Sequence, residues 1–351
     1  MNFLTIKDIA RRARVSHTTV SRVLNNKPGV KRATKERILD LIRELDYQPN
    51  LVARSLVMKR SRTLGLVITT IRNPFYLEVA QGVEDTARAR GYSVFFCCTN
   101  FSISREEESI RDLRRKGVDG IILSSAHTRD PYVASLVEQE FPTVLVNRRV
   151  LEPDLAGKMD YIGVDNVKAG EMAVDHLLQV GRRRVAVISG NKDSSITIER
   201  MKGIRRALKK HHVELDDEMV FEGDYLKKSG YDGALYFLSR TGLPDAILCL
   251  NDYMALGVYD ALMERGVSIP ETVSLMGFND IEFSSLQVVG LTTISQKNYL
   301  LGSMAVQRLV DRVEGAKAGV EYVLEPELIV RKTCGHVRSG LSNYTGIREG
   351  G

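Results

Sequence analysis

Apolar residues open the chain at helical spacing. Ile6, Ile9, Ala10 and Ala13 fall at i, i+3, i+4 and i+7, and Thr5 with Asp8 three residues on supplies the start signal. A second helix follows, with Ser16 placed to cap it and Val20, Val23 and Leu24 on its inner face. Only about three residues are left for the connection, so the two helices must cross sharply, as in a helix-turn-helix. Asn26-Lys27-Pro28-Gly29 reads as a turn, and Thr34 to Leu45 resumes helical spacing through Ile38, Leu41, Ile42 and Leu45. Pro49 closes this small all-α head. Asn50 to Leu56 is a short run of good helix formers, and Lys59-Arg60-Ser61-Arg62 has no apolar periodicity and predicts a linker.

From Thr63 the pattern alternates between apolar strands and amphipathic helices. Strands are predicted at Thr63–Thr69, Ser93–Cys98, Gly120–Leu123 and Thr143–Val146, with helices at Phe75–Ala89 and Arg105–Lys116. A second run has helices at Lys168–Val180, Glu199–His211, Lys228–Ser239 and Tyr253–Arg265, and strands at Arg184–Ile188, Met219–Glu222, Ala246–Leu250 and Val273–Gly277. Such alternation predicts parallel sheets covered by helices on both faces, and two sheets are more plausible than one of ten strands. Two Rossmann-like lobes facing each other would make a cleft at the carboxyl ends of their strands.

Charge changes the reading of the head. Residues 1–60 hold five Lys and nine Arg against five acids, a net +9, whereas the remainder holds 36 basic and 39 acidic residues, a net −3. Two amphipathic helices alone could be a structural hairpin, but a basic cap on a mildly acidic body is the footprint of a nucleic-acid-binding head. The outward side of the second helix carries His17, Thr18, Ser21 and Arg22, groups of the kind that read base edges in a major groove. With 43% hydrophobic and 27% charged residues in 351, the chain is expected to be an ordinary globular protein. It shows no signal-type apolar run and no eighteen-residue apolar stretch, so a cytoplasmic, non-membrane protein is expected. Cys97, Cys98, Cys249 and Cys334 form no C-x-x-C pair and predict buried free thiols; no metal-ligand spacing and no cofactor motif is seen. The P-loop, nucleophile-elbow, dinucleotide and zinc-protease motifs are absent, which argues against an enzyme.

The motifs Ile-Lys-Asp-Ile-Ala, Val-Ser-x-x-Thr-Val-Ser-Arg-Val-Leu-Asn (15–25), Leu-x-Tyr-x-Pro-Asn-x-x-Ala-Arg-Ser-Leu (45–56), Asn-Pro-Phe-Tyr (73–76), Val-Asp-Gly-Ile-Ile (118–122), Asn-Asp-x-Met-Ala-Leu-Gly (251–257) and Leu-Thr-Thr-Ile-x-Gln (291–296) occur in this order. The chain thereby resembles the lactose-repressor (LacI/GalR) family of bacterial transcription regulators, from about residue 4 to residue 333. The resemblance implies a DNA-binding head at 1–49, a hinge helix and linker at 50–62, a type I periplasmic-binding-protein-like core at 63–333 and a polar tail at 334–351. It implies lobes of about 63–161 with 292–324 and 162–291 with 325–333, crossed near Tyr161–Val164, Val289–Thr292 and Val323–Pro326. The helix at Leu300–Val313 would thus return to the first lobe. A homodimer on a palindromic operator, acting as a ligand-responsive repressor of carbohydrate or related catabolic genes, is the expected function; a solute-binding protein without a DNA role is the alternative.

By the same resemblance Thr5, Ser16, His17, Thr18, Ser21, Arg22, Asn25, Asn50, Ala53 and Leu56 would contact DNA, Leu56 as a wedge in the minor groove. Phe75, Tyr76, Asn147, Arg200, Tyr225, Asn251 and Asn279, with Gln296 as an eighth, would hold the effector, a sugar, sugar acid or sugar phosphate. Four positions depart from the family's pattern. Arg14 stands where the turn usually has Gly, at a cost on the order of 1 kcal/mol if its φ is positive. Lys31 replaces a capping Ser, and Asn147 and Asn279 replace effector-site aspartates. Arg72, Arg148 and Arg149 lie beside these segments, so a more positive pocket than a neutral-sugar site is expected.

Overall fold

The computed structural model describes residues 4–24, 27–47 and 60–335. Residues up to Arg62 form one compact unit and those from Thr63 another. In the first, α1 (Ile6–Ala13), α2 (His17–Leu24) and α3 (Arg32–Glu44) enclose Ile9, Ala10, Ala13, Val20, Val23, Ile38 and Tyr47. The Asp8 carboxylate accepts from the Thr5 backbone N–H at 3.0 Å and from its hydroxyl at 2.6 Å, which fixes the entry to α1. Ser16 Oγ accepts from the Thr19 N–H at 3.2 Å, the cap its position predicts for α2. Arg14, between them, is left-handed at φ 52°, ψ 47°. Helix α3 starts two residues before the predicted Thr34; Lys31 makes no side-chain cap, and an Arg32–Glu36 ion pair at 2.9 Å braces the first turn instead.

The second unit contains two six-stranded sheets. Sheet one uses β1 (Thr63–Ile68), β2 (Ser93–Cys98), β3 (Gly120–Ser124), β4 (Thr143–Val146), β5 (Asp160–Val164) and, from the segment that returns late in the chain, β11 (Glu321–Leu324), in the order β11-β5-β4-β3-β1-β2. Its helices are α4 (Pro74–Ala89), α5 (Ile103–Arg115), α6 (Pro131–Glu138) and the returning α11 (Asn298–Val313). Sheet two uses β6 (Val185–Ser189), β7 (Val220–Glu222), β8 (Ala246–Cys249), β9 (Ser274–Asn279), β10 (Thr292–Ser295) and β12 (Glu327–Ile329), in the order β12-β10-β9-β8-β6-β7, with α7 (Asn166–Gln179), α8 (Ser195–Lys210), α9 (Lys227–Tyr236) and α10 (Asp252–Glu264). Every pairing is parallel except β10 with β12.

Two expected lobe boundaries move. Strand β5 belongs to sheet one as far as Val164, so the first crossing falls at the end of the expected Tyr161–Val164 and the first lobe's boundary shifts from 161 to 164. The second crossing is at Gln296–Lys297 and not at 289–292, because Thr292–Ser295 pairs with Met276–Asn279 and extends sheet two before the chain leaves. The third crossing, at Glu325–Pro326, lies where expected. Cys249 and Cys334 are buried free thiols, while Cys97 and Cys98 are only half-buried, since β2 is an edge strand. Among the described residues, no helix is long and apolar enough to cross a membrane.

Glycines set how closely the helices pack. A Cβ on Gly82 of α4 would strike the Tyr299 carbonyl, and one on Gly302 of α11 would strike that of Val79. The same reciprocal arrangement joins Gly170 with Gly203 between α7 and α8, and Gly230 with Gly257 between α9 and α10. In each pair the added atom meets backbone, which cannot rotate aside, so the helices would have to separate. Gly302→Val is therefore expected to cost about 1–3 kcal/mol or more; a urea midpoint equal to that of wild type would show that the crossing tolerates separation.

Candidate functional site

Two surfaces carry the candidate chemistry. On the head, Thr5, Ser16, His17, Thr18 and Arg22 are exposed and Ser21 is partly so, whereas Val20 and Val23 are buried. The polar face of α2 is thus free for a groove while its apolar face holds the head together. Thr5 and Ser16 are already engaged in capping, and Ser16 Oγ also lies 2.7 Å from Thr18 Oγ1, which leaves His17 and Arg22 as the freest reading groups. Arg11, Arg32 and Arg43 pair with Asp8, Glu36 and Asp40 on their own helices. Asn25, Asn50, Ala53 and Leu56 lie outside the described residues.

In the second unit, a small cavity of ≈ 20 Å³ lies between the carboxyl ends of the two sheets, lined by Asn73, Phe75, Tyr76, Asn147, Arg148, Ile196, Arg200, Tyr225, Asn251 and Asn279. Seven of the eight sequence-derived effector residues therefore surround one space. The local chain geometry explains why. Phe75 and Tyr76 begin α4 directly after β1, packed edge to face at 5.0 Å, with Asn73 Oδ1 accepting the Phe75 N–H at 3.1 Å. Asn147, Tyr225 and Asn279 follow or end strands at φ 64°, 67° and 114°, and these left-handed turns direct the chain around the cavity. Gln296 is buried one layer back and donates through Nε2 to Asn279 Oδ1.

The polar atoms differ in availability. Asn251 spends both ends internally, accepting from Met254 N–H at 2.8 Å as the cap of α10 and donating to the Tyr225 carbonyl at 2.9 Å. Tyr225 Oη lies 2.5 Å from Thr197 Oγ1. Arg200, 1% exposed, donates to Asn166 Oδ1 at 2.9 Å and to the Leu250 carbonyl, and stacks over Phe278 at 4.5 Å. Burial pulls its guanidinium down to about 10, so it remains a cation at neutral pH. Among the described residues, Arg200 Nη2, Arg148 Nε and Asn147 Oδ1 are buried without a hydrogen-bond partner.

Whole-chain comparison decides the family. Residues 61–332 match the model for periplasmic binding proteins and the sugar binding domain of the LacI family, and residues 5–50 match that for bacterial regulatory proteins of the lacI family. The chain belongs to the LacI family. This LacI-family chain is 36% identical over 331 residues to the HTH-type transcriptional regulator RegA of Clostridium saccharobutylicum, covering 94% of this chain and 98% of RegA. It is 33% identical over 334 residues to the transcriptional repressor PurR of Haemophilus influenzae, with coverage of 94% and 98%. Among solved structures it resembles a Lac repressor dimer bound to operator and an anti-inducer (27% identity, TM-score 0.84, 95% of this chain and 99% of that one). It also resembles a CelR–cellobiose complex (31% identity, TM-score 0.72, 94% and 99%). As a family member it is a DNA-binding transcription regulator, and a solute-binding role without DNA does not account for the head.

Three lining residues of this LacI-family core escaped the sequence-derived set: Asn73, Ile196 and Arg148. The Asn-Pro start of α4 marks Asn73 as a cap, whereas the sequence places Arg148 only next to a pocket-lining segment. Its burial arises from packing over the rings of Phe101 and Tyr225, each 5.7 Å away, which no local pattern discloses. Arg149 turns away to Glu199 and Glu321, both at 3.4 Å, and Arg72 is exposed.

Behind Arg148 lies a buried acid pair. Glu106, in the first turn of α5, accepts from Ser125 Oγ and faces Asp130, the cap of α6, with His127 and Arg148 alongside. Burial and the adjoining Asp130 push the Glu106 carboxyl up to about 9, whereas the unfolded chain titrates it near 4.5. Between those values the folded state holds a proton that the unfolded state has released, so this stabilisation is complete below the lower value and fades as pH rises. Glu106→Gln keeps an amide donor toward Asp130 without titrating. The wild-type Tm is thus expected to fall relative to this variant's from pH 5 to pH 9; a constant or rising difference would contradict the shared proton.

Proposed function

We propose that this LacI-family chain is a ligand-responsive repressor of carbohydrate or related catabolic genes, acting as a homodimer on a palindromic operator. The observation that carries the ligand response is the cavity itself. Its wall takes Phe75, Asn147 and Arg148 from the first lobe and Arg200, Tyr225 and Asn251 from the second, so a bound molecule would favour one relative setting of the lobes. In the proposed mechanism that setting alters the spacing of the two first lobes in the dimer, and residues 50–62, with Leu56, pass the change to the heads. Such coupling is typically about 1–3 kcal/mol.

Exposed apolar side chains support the dimer. Phe95 and Phe96 stand on the edge strand β2 at 45% and 43% exposure, and Leu77 on the adjacent α4 is 52% exposed. The second lobe adds Leu286 and Val288, at 47% and 79%. A second copy is the occupant proposed here, because the structurally similar Lac repressor is a dimer bound to operator. The reading is tested by selecting duplexes from a random pool with the full-length protein and titrating the winners. Enrichment of a site with two-fold symmetry is expected; enrichment of a single unpaired half-site, or of none, would overturn it.

A further inference from the structure

We propose that the ligand of this cavity is an anionic polyol, a small hydroxylated molecule bearing a carboxylate or phosphate that Arg148 and Arg200 hold together; this rests on the regulator reading above and specifies its effector. The arginines are 3% and 1% exposed, both line the cavity, and each has an unpartnered buried N–H. No Asp or Glu is among the lining residues. The nearby buried acids are committed elsewhere. Asp252 accepts from Ser284 Oγ, Thr293 Oγ1 and the Ile281 N–H at 2.6–3.0 Å, the half-buried Asp165 caps α7 through the Lys168 N–H, Glu106 behind Arg148 faces Asp130, which caps α6 through the Tyr132 and Val133 N–H groups, and Glu199 pairs with Arg149. A guanidinium withdrawn from water without a carboxylate opposite it is costly, and an oxyanion arriving with the ligand removes that cost.

The backbone adds to this field. The first turns of α4, α8 and α10 reach the cavity through Phe75 and Tyr76, Ile196, and Asn251, and helix N-termini favour negative charge. The rest of the wall suits the remainder of such a ligand. Phe75, Tyr76 and Tyr225 offer ring surfaces to a carbon skeleton, and the free Asn147 Oδ1 accepts from a hydroxyl.

The test is calorimetry on the full-length protein with D-glucose, D-gluconate, D-glucuronate and D-glucose 6-phosphate, and with the matching D-galactose series, alongside operator titration in each ligand. At least one anion should bind about tenfold or more tightly than its neutral counterpart, and the carboxylate and phosphate arms show which head group is preferred. Arg148→Gln should remove that advantage, while Arg148→Lys, which keeps the charge, should retain part of it; a far-UV circular dichroism spectrum and a cooperative urea transition for both variants confirm folding. A neutral sugar that binds and changes operator affinity while its anions do not overturns the proposal and leaves the regulator reading standing. Binding by no anion in the panel, or an advantage undiminished in Arg148→Gln, also overturns it. Loss of symmetric operator binding in wild type would instead strike the regulator reading, with the anion titrations still informative.

Discussion

Asp160→Ala is expected to lower the stability of the second unit by about 3–5 kcal/mol. Asp160 opens β5, is fully buried, and accepts through Oδ1 from Arg308 Nε at 2.9 Å and the Val320 N–H at 3.0 Å, while Oδ2 lies 3.0 Å from Arg312 Nε. One carboxylate thus holds two arginines of α11 and the approach to β11. It fastens to sheet one the segment that returns from the second lobe. Removing it strands two nearly buried guanidiniums and frees a backbone N–H, and an uncompensated buried charge is far more expensive than an exposed one. The guanidiniums keep the Lys317 and Ala316 carbonyls, which softens the loss without supplying the missing charge. Urea unfolding would measure it, and a change under about 1 kcal/mol would mean that the pair is solvated in solution.

Arg22→Ala is expected to weaken operator binding by about 1–3 kcal/mol, roughly five- to 150-fold, and to relax preference at one base position. Arg22 is exposed on the face of α2 opposite Val20 and Val23, with its guanidinium resting over the turn at Gly29. Its removal leaves the head's core intact, so the loss should appear in binding and not in Tm. By contrast, neutralising Lys7 or Arg12 on α1 should weaken all duplexes alike and flatten the salt dependence, as phosphate contacts do. Titrations of Arg22→Ala against the selected operator and its single-base variants decide the matter. Unchanged affinity and preference would remove Arg22 from base reading.

What the sequence determined by itself was what depends on near neighbours along the chain. The stripe of Ile6, Ile9, Ala10 and Ala13, the Ser16 cap and the alternation from Thr63 onward depend on contacts within a few residues, and the structure shows the expected helices and strands. Seven effector candidates followed from the resemblance of their motifs to the LacI family, and the structure places them around one cavity at the strand ends of the two parallel sheets. Even there a local pattern could be overlooked, as with α6, whose Asp130-Pro131 start precedes Val133 and Leu136 at turn spacing.

Tertiary structure decided the rest. Asp160–Val164, Thr292–Ser295, Glu321–Leu324 and Glu327–Ile329 carry no clear strand pattern, being short and interrupted by Gly, Thr or acidic residues. They are strands because a neighbouring edge supplies the hydrogen-bonding partners, and this is what moved the second lobe crossing to Gln296. The reciprocal glycines join helices through contacts that periodicity does not encode. Arg148 and Arg200 differ from Arg72 and Arg149 only in surroundings: the first two are enclosed at the cavity without an ion pair, the third is exposed, and the last is paired with Glu199 and Glu321. Burial and partner choice are properties of the packed whole, and they turn one of four similar side chains into a solvated charge, another into a bridge, and two into buried cations at the cavity wall.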